Sequence, residues 1–409
     1  MTGAAAGRTS PAYQTMLVVL LGINMGAVIL DRNAFSLLAP MIQPEFGLNN
    51  AQVGLVNGAL AATWALSSFG LCRLADMTGR SKQILIVATL VFSLASISSG
   101  LAIGLLTLVA ARALMGLAEG GLPPVSTHIA YTEVAPERRG LAVGTLSTIG
   151  LNLVPLLGPL VIVGIGTHYG WRHAFWLAGI PGLILAALMW ALIRPPREAR
   201  REAAPKGSFL PLFRIRNIRI SMALAIIQMT GIVGIIGFVP LYLVKVLGLS
   251  ETMMGAVMTT AQTAMVAYGF IAPLASDRFG RKPAIIGCYL LSVPGYLLLA
   301  FSGGALPLVF AGAALIGAFM GASILVMNAI AGESAPPHLS ATAMGLNAAV
   351  GEMLGAGAMP IAIGWLADRV GLGMLPWFFL GLAALFCVVT LALTETAPRR
   401  SRAAATAIA

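Results

Sequence analysis

Four ionisable residues lie inside long apolar stretches of this chain, where chemistry that moves charge could take place. Asp31 and Arg32 fall in the first such stretch, and Arg112 and Glu119 fall in the fourth. A charge at bilayer depth costs about 3 kcal/mol or more, so such residues are usually paired, turned inward and functional. Two acids and two bases at that depth could bind an anion and carry protons.

The spacing of these residues predicts how they pair. Arg112 and Glu119 are seven residues apart, which places both on one helix face, about 10 Å apart along the axis. Asp31 and Arg32 are adjacent, so they point in different directions and satisfy each other poorly. Asp31 and Arg112 lie at similar depth when counted from the ends of their helices. We therefore expect Arg112 to pair with Asp31, and Arg32 to face a central cavity and receive a substrate carboxylate.

Glu119 has no base within one helical turn of its own helix. A desolvated carboxyl of this kind is a candidate proton carrier, and Asp31 is a second one. Protonating both acids would remove negative charge near Arg32 and Arg112 and would favour binding of an anion. The alternative is that the four residues neutralise each other as a buried network that joins the two helices.

Membrane helices must position these four residues. The chain has 409 residues, of which 58% are hydrophobic and 10% are charged, and such a composition indicates a polytopic membrane protein. A span needs roughly 20 apolar residues, and we count about twelve such stretches. The first stretch is too long for a signal-peptide core, so we interpret it as a retained helix. The predicted fold class is an all-α membrane protein with twelve transmembrane helices.

The net charge of +11 predicts topology rather than nucleic-acid binding. With the N-terminus inside, the basic residues concentrate in the cytoplasmic segments, and the outer loops hold only Arg172, Lys245 and Arg369. We therefore expect a multi-pass protein of the cell inner (plasma) membrane with both termini in the cytoplasm.

The cysteines and histidines form no recognisable site. Cys72, Cys288 and Cys387 are far apart and show neither a metal-ligand spacing nor a disulfide framework. The sequence contains no pattern of a hydrolase triad, a phosphate-binding glycine loop or a metal cluster. We expect neither an enzyme nor a metal or cofactor site.

A polar, basic segment rich in proline divides the chain into two halves of six spans each. The predicted organisation is a six-helix bundle at 1–193, a cytoplasmic linker at 194–217, a second six-helix bundle at 218–394 and a cytoplasmic tail at 395–409.

The two halves repeat with a single offset of 201 residues, which aligns Asp76 with Asp277. The same offset pairs Gly54 with Gly255, Pro136 with Pro337, Gly144 with Gly345, Gly150 with Gly351, Pro159 with Pro360 and Gly170 with Gly371. Because each half has an even number of spans, the two halves are parallel repeats. The four membrane charges correspond to Ile232, Val233, Ala313 and Met320, so this fold does not need charges at those positions.

The loops between spans 2 and 3 and between spans 8 and 9 carry a resemblance to a known family. The second copy, Asp277-Arg278-Phe279-Gly280-Arg281-Lys282, closely resembles a signature of the major facilitator superfamily. The first copy departs from it, with Met77 after Asp76 and Ser81 in place of a base. The resemblance implies two six-helix bundles that work by alternating access, and a conformational latch in each loop. The latch residues are Asp76, Gly79, Arg80, Asp277, Arg278, Gly280 and Arg281.

The first half resembles a narrower group within that superfamily. Asp31-Arg32-Asn33-Ala34, the run from Arg112 through Glu119 to Gly120, and Gly170-Trp171-Arg172-His173 are similar to the anion:cation symporter family. That family includes proton symporters of galactonate and hexuronate and carriers of sialic acid and phosphate. The resemblance implies proton-coupled uptake of a small organic anion such as a sugar acid, a hydroxy acid or an aromatic carboxylate, by a monomer. The vague similarity of Gly158-Pro159 to a motif of drug exporters leaves a proton-antiporting exporter as the alternative.

Other polar residues of the second half are secondary candidates. Glu352 is an intramembrane acid that could be another proton site, a cation ligand, or a protonated group hydrogen-bonded in a helix contact. Gln228, Gln262 and Asn347 are candidate substrate-binding residues beside Arg32 and Arg112, although such polar residues alone more often join helices.

Overall fold

The structure is a computed structural model that describes residues 10–135, 138–194, 210–336 and 339–396. Twelve helices within these residues are long and apolar enough to cross a membrane, which confirms the predicted fold class. In chain order they are α1 (Pro11–Phe46), α2 (Asn50–Ala75), α3 (Ser81–Gly100), α4 (Leu105–Glu133), α5 (Leu141–Tyr169), α6 (Trp171–Leu192), α7 (Arg216–Lys245), α8 (Glu251–Phe279), α9 (Arg281–Phe301), α10 (Leu306–Ser334), α11 (Thr342–Val370) and α12 (Leu372–Leu391). Most of the predicted linker and all but the start of the predicted tail lie outside the described residues.

The helix α4 is interrupted beside Glu119. Its first segment is Leu105–Glu119, and a regular helix resumes at Leu122–Glu133. Pro123 and Pro124 have no N–H, so the usual hydrogen bonds to the carbonyls of Glu119 and Gly120 cannot form. The sequence itself therefore places a break in the helix directly after the buried acid.

Wide helical turns occur at matching places in α5 and α11. The backbone is π-helical at Thr148–Leu153 and at Gly351–Ala358. The offset of 201 residues between the two halves makes the first segment overlap the start of the second. Such turns are rare and concentrate at functional regions of helices. Glu352 lies in the second of them.

The helices divide into two compact units by their internal contacts. The first unit contains the described residues within 1–42 and 59–202, and the second contains those within 43–58 and 203–409. The division therefore follows the two sequence halves except at residues 43–58, which end α1 and begin α2.

Glycines allow the helices of each unit to approach closely. In the first unit, a Cβ atom added at Gly116 of α4 would lie 2.3 Å from the carbonyl oxygen of Leu60 in α2. In the second unit, a Cβ atom added at Gly317 of α10 would lie 2.8 Å from the backbone nitrogen of Met265 in α8. These two glycines are related by the offset of 201, so the duplication extends to helix packing.

Candidate functional site

The first unit brings three of the four membrane charges into its interior. Asp31, Arg112 and Glu119 are at most 1% exposed. The carboxylate oxygen Oδ1 of Asp31 on α1 accepts a hydrogen bond of 2.8 Å from the hydroxyl of Ser96 on α3. Its other oxygen, Oδ2, has no hydrogen-bond partner among the described residues. The Asp31 carboxylate thus retains an oxygen that could accept a proton.

Arg112 reaches Asp31, but through the main chain rather than the carboxylate. Its Nη1 atom donates a hydrogen bond of 3.1 Å to the carbonyl oxygen of Asp31. The guanidinium also lies 5.5 Å from the ring centre of Phe35 and 5.0 Å from that of Phe175, within the range of cation–π contacts. The expected proximity of the two residues is present, but Arg112 bonds the carbonyl oxygen of Asp31, while the carboxylate of Asp31 is bonded by Ser96.

Arg32 has a different environment from its neighbour. Its side chain is only half-buried, and its guanidinium carbon lies 4.4 Å from the ring centre of Trp64 on α2. Stacking on an aromatic ring uses the face of the guanidinium, whereas a carboxylate binds at its N–H edge. Trp64 can therefore orient Arg32 without competing for an anion.

Glu119 ends the first segment of α4 and is fully buried. Neither of its carboxylate oxygens has a hydrogen-bond partner among the described residues. Asp31, Arg32 and Arg112 provide the charges that act on it. A buried carboxyl with no hydrogen-bond donor is costly to hold charged, which suits a group that gains and loses a proton.

The four secondary candidates lie in the second unit. Gln228 donates a hydrogen bond of 3.4 Å to the carbonyl oxygen of Phe319 and accepts one of 2.9 Å from the hydroxyl of Tyr289, so its amide already joins helices. Asn347 donates one of 2.9 Å to the carbonyl oxygen of Val326, while its own Oδ1 has no partner in the described part of the chain.

Gln262 and Glu352 are both half-buried. Gln262 lies on α8 and Glu352 lies in the π-helical segment of α11. Neither belongs to the buried cluster of the first unit.

The second copy of the predicted latch forms a hydrogen-bonded network. The guanidinium of Arg281 lies 2.7 Å from Asp277 and 2.9 Å from Glu333 at the end of α10. The carboxylate of Glu395 accepts the backbone N–H groups of Arg281, at 2.9 Å, and of Lys282, at 3.2 Å, at the start of α9. Glu395 and Glu333 were absent from the sequence-based prediction because neither lies in the loop motif. Gly280 takes a positive φ of 102°, and Arg278 is exposed.

The first copy of the latch is simpler. Arg80 and Gly79 are exposed, and the side chain of Asp76 lies outside the described residues. Lys82 instead bonds the carbonyl oxygens of Trp190, at 2.9 Å, and of Ile193 at the end of α6.

Lys282 makes the equivalent contacts in the second unit, with the carbonyl oxygens of Leu391 at 2.6 Å and Leu393 at 3.3 Å. The two lysines differ by one position in the sequence alignment, and neither is among the predicted latch residues.

Comparison with known proteins fixes the family. The family model of the Major Facilitator Superfamily matches residues 21–260 and 221–408. The chain belongs to this superfamily. It is therefore a multi-pass membrane transporter and not an enzyme.

The relatives include several transporters that are named for organic acids. The "Probable 4-methylmuconolactone transporter" of Cupriavidus pinatubonensis is 29% identical over 84% of this chain and 81% of its own length. The 4-hydroxybenzoate transporter PcaK of Pseudomonas aeruginosa is 31% identical over 46% of this chain and 41% of its own. The hexuronate transporter of Bacillus subtilis is 31% identical over 46% of this chain and 44% of its own.

Solved structures support the same fold. The nucleoside transporter NupG matches with a TM-score of 0.77 and 12% identity, and the match covers 93% of this chain and 98% of that one. A bacterial homologue of the human lysosomal transporter Spinster matches with a TM-score of 0.75 and 19% identity over 94% and 95% of the two chains.

Proposed function

We propose that this transporter imports a small organic anion together with protons, as a monomer in the inner (plasma) membrane with both termini in the cytoplasm. The observation that carries the proposal is the buried cluster of Asp31, Arg112 and Glu119, in which carboxylate oxygens and guanidinium nitrogens have no hydrogen-bond partner among the described residues. A structural ion network would satisfy these groups. The names of the organic-acid relatives agree with an anionic substrate.

Arg32 is the residue that we assign to the substrate carboxylate. It is half-buried and stacked on Trp64, so its position is set while its N–H edge is suited to two parallel hydrogen bonds. Arg112 is more deeply buried and bonds the main chain of Asp31. Its role is to set the electrostatic field at the site.

Glu119 and Asp31 are the residues that we assign to the protons, with Glu352 as a further candidate. When both acids are protonated, Arg32 and Arg112 attract an anion with less competition from nearby negative charge. When the protons leave on the cytoplasmic side, the carboxylates compete for the same bases and the anion is released. Proton and anion binding thus become favourable together, which is the requirement for symport.

The second unit contributes polar candidates for substrate binding. Gln262 and the Oδ1 atom of Asn347 are the polar groups that we assign to substrate binding there, since Gln228 is already bonded to Tyr289.

Uptake into proteoliposomes with an imposed acid-outside gradient tests the proposal. The panel contains a benzoate-type acid, a hydroxy acid and a hexuronate, each labelled. Wild type should take up one class, Arg32→Ala should lose that uptake, and Glu119→Gln should bind the acid without a response to the gradient. Arg369→Ala is the matched control, because Arg369 also stacks on a tryptophan, with 3.8 Å to the ring centre of Trp365, but lies at the end of α11.

A different result would favour the exporter. If no acid is taken up and neutral or cationic compounds release protons across the membrane, the anion:proton assignment is wrong. The four charges would then be a network that holds α1 and α4 together.

A further inference from the structure

The hydroxyl group of Ser96 on α3 has two acceptors within reach but only one proton to donate. Its Oγ atom lies 2.8 Å from Oδ1 of Asp31 on α1 and 3.1 Å from the carbonyl oxygen of Phe175 on α6. Ser96 is fully buried. The hydroxyl can therefore bond either the acid or the carbonyl group of α6, and not both fully at the same time.

The charge of Asp31 decides which acceptor is the stronger one. A hydrogen bond to an ionised oxygen is roughly twice as strong as one between neutral groups. While Asp31 is charged, Ser96 donates to Oδ1, and Oδ2, which has no partner among the described residues, is the oxygen that a proton can join. Once Oδ2 is protonated, Oδ1 loses its advantage and the carbonyl oxygen of Phe175 can compete. Ser96 keeps its own proton throughout.

Glycines hold α3 and α6 together around Ser96. A Cβ atom added at Gly179 of α6 would lie 2.7 Å from the carbonyl oxygen of Ser93 and 3.3 Å from the Cβ of Ser96. One added at Gly100 of α3 would lie 2.8 Å from the carbonyl oxygen of Arg172. The two backbones are thus in close contact on both sides of Ser96, which fixes its distance from the carbonyl groups of α6.

The charged groups around Asp31 come from α1 and α4. They are Arg32, the next residue of α1, and Arg112 and Glu119 of α4. The ionisable residues of α2, α3, α5 and α6 lie in the first or last turns of those helices: Arg73, Lys82, His168, Arg172 and His173. At Asp31 itself, α3 and α6 therefore contribute the uncharged hydroxyl of Ser96 and the carbonyl group that it also bonds.

We propose that Ser96 is a positioning residue for the proton on Asp31, and that its hydroxyl changes acceptor when that acid gains or loses its charge. It donates to Oδ1 of the charged acid and to the carbonyl oxygen of Phe175 when the acid is protonated. The ring of Phe175 contacts the guanidinium of Arg112, with 5.0 Å to the ring centre, so the exchange also reaches a residue that packs against the buried base. The inference rests on the proposed role of Asp31 in carrying a proton.

Infrared difference spectroscopy of the purified protein in lipid, titrated with pH in the absence of substrate, tests this exchange. The carboxyl band that Asp31→Asn removes reports the protonated acid. In Ser96→Ala this band should appear at a pH higher by about one unit or more, because the charged acid has lost a charge-assisted donor. Its frequency should stay the same, because Ser96 does not bond the protonated acid. Ser96→Thr, which keeps the hydroxyl, should titrate close to the wild type.

Ser99→Ala is the matched control. Ser99 is also fully buried on α3, but its hydroxyl donates to the carbonyl oxygen of Ala95 in the same helix, at 2.9 Å. This variant should titrate as the wild type does.

Two results would overturn the role of Ser96 and leave the proposed transport function intact. An unchanged titration in Ser96→Ala would show that the hydroxyl does not bond the charged acid. A higher band frequency in Ser96→Ala would show that the hydroxyl stays bonded to the protonated acid. If instead Asp31→Asn removes no titrating carboxyl band, Asp31 carries no proton, and its part in the proposed function fails as well.

Discussion

The two sequence halves have the same fold but carry their charges in different places. The first half holds Asp31, Arg112 and Glu119 in its buried interior, where the second half has Ile232, Ala313 and Met320 at the corresponding positions. The second half holds an extended network in its loop around Arg281, where the equivalent Arg80 is exposed. A six-helix unit of this type can therefore be packed with or without buried charge. This difference is the reason why we propose a role in transport, rather than in folding, for the charges of the first half.

The features that both halves share show what the fold itself requires. Gly116 and Gly317 allow close packing of equivalent helices, and Lys82 and Lys282 bond the carbonyls that end the sixth helix of each half. Small residues at helix contacts and bonds to exposed helix ends are general needs of membrane bundles. What is duplicated is thus structural, and what is not duplicated is a candidate for function.

The largest effects on stability and uptake are expected when the buried charges of the first half are removed, singly and together. Arg112→Met leaves two buried acids without their base and should destabilise the protein by about 3 kcal/mol or more. The triple variant Asp31→Asn, Arg112→Met, Glu119→Met makes the first half resemble the second. It should regain most of that stability and should show no uptake. Thermal unfolding in detergent and uptake into proteoliposomes measure the two effects.

Two results would contradict this interpretation of the buried charges. If the single and triple variants unfold at the same temperature, the three residues are not coupled in the folded state. If the triple variant still transports, the assignment of the site to the first half is wrong.

A smaller effect is expected where the two halves are alike. A Cβ atom at Gly120 would lie 2.2 Å from the carbonyl oxygen of Trp64, and one at Gly321 would lie 2.6 Å from the Cβ of Ala272. Gly120→Ala and Gly321→Ala should therefore each destabilise the protein by about 1–3 kcal/mol, as overpacked helix contacts do. Gly164→Ala, with no atom within 4 Å, is the control and should leave the unfolding temperature unchanged. A neutral result at Gly120 or Gly321 would show that the helices shift at little cost.

The sequence was sufficient for the fold and for the residues of the buried cluster. Apolar length predicts the twelve helices, and the offset of 201 predicts the repeat, because both depend only on order along the chain. The partners of the cluster were not predictable in this way. Ser96, Phe35 and Trp64 are ordinary residues for a membrane helix, and only the packing of α1 against α2, α3 and α4 brings them to Asp31, Arg112 and Arg32.

The loop networks also contain contacts that the sequence could not predict. The motif predicts Arg281 and Asp277, but Glu333 and Glu395 approach them from 52 and 114 residues away. Lys82 and Lys282 reach the ends of α6 and α12 from positions one residue apart in the alignment, so the offset of 201 does not pair them. Long side chains tolerate such a change in register, whereas a motif does not.

The unequal loops give the prediction with the smallest expected effect on stability. Arg281→Ala removes the bonds to Asp277 and Glu333, which are 66% and 26% exposed, so the loss of unfolding free energy should be no more than about 1 kcal/mol. Because the network joins the start of α9 to the end of α10, uptake should nevertheless fall several-fold. Arg80→Ala, at the exposed equivalent position, should lower uptake less. The ratio of initial uptake rates between the two variants is the measurement. Equal losses would mean that both loops act as latches despite their different contacts, and the asymmetry between the halves would then be confined to the charges within the membrane.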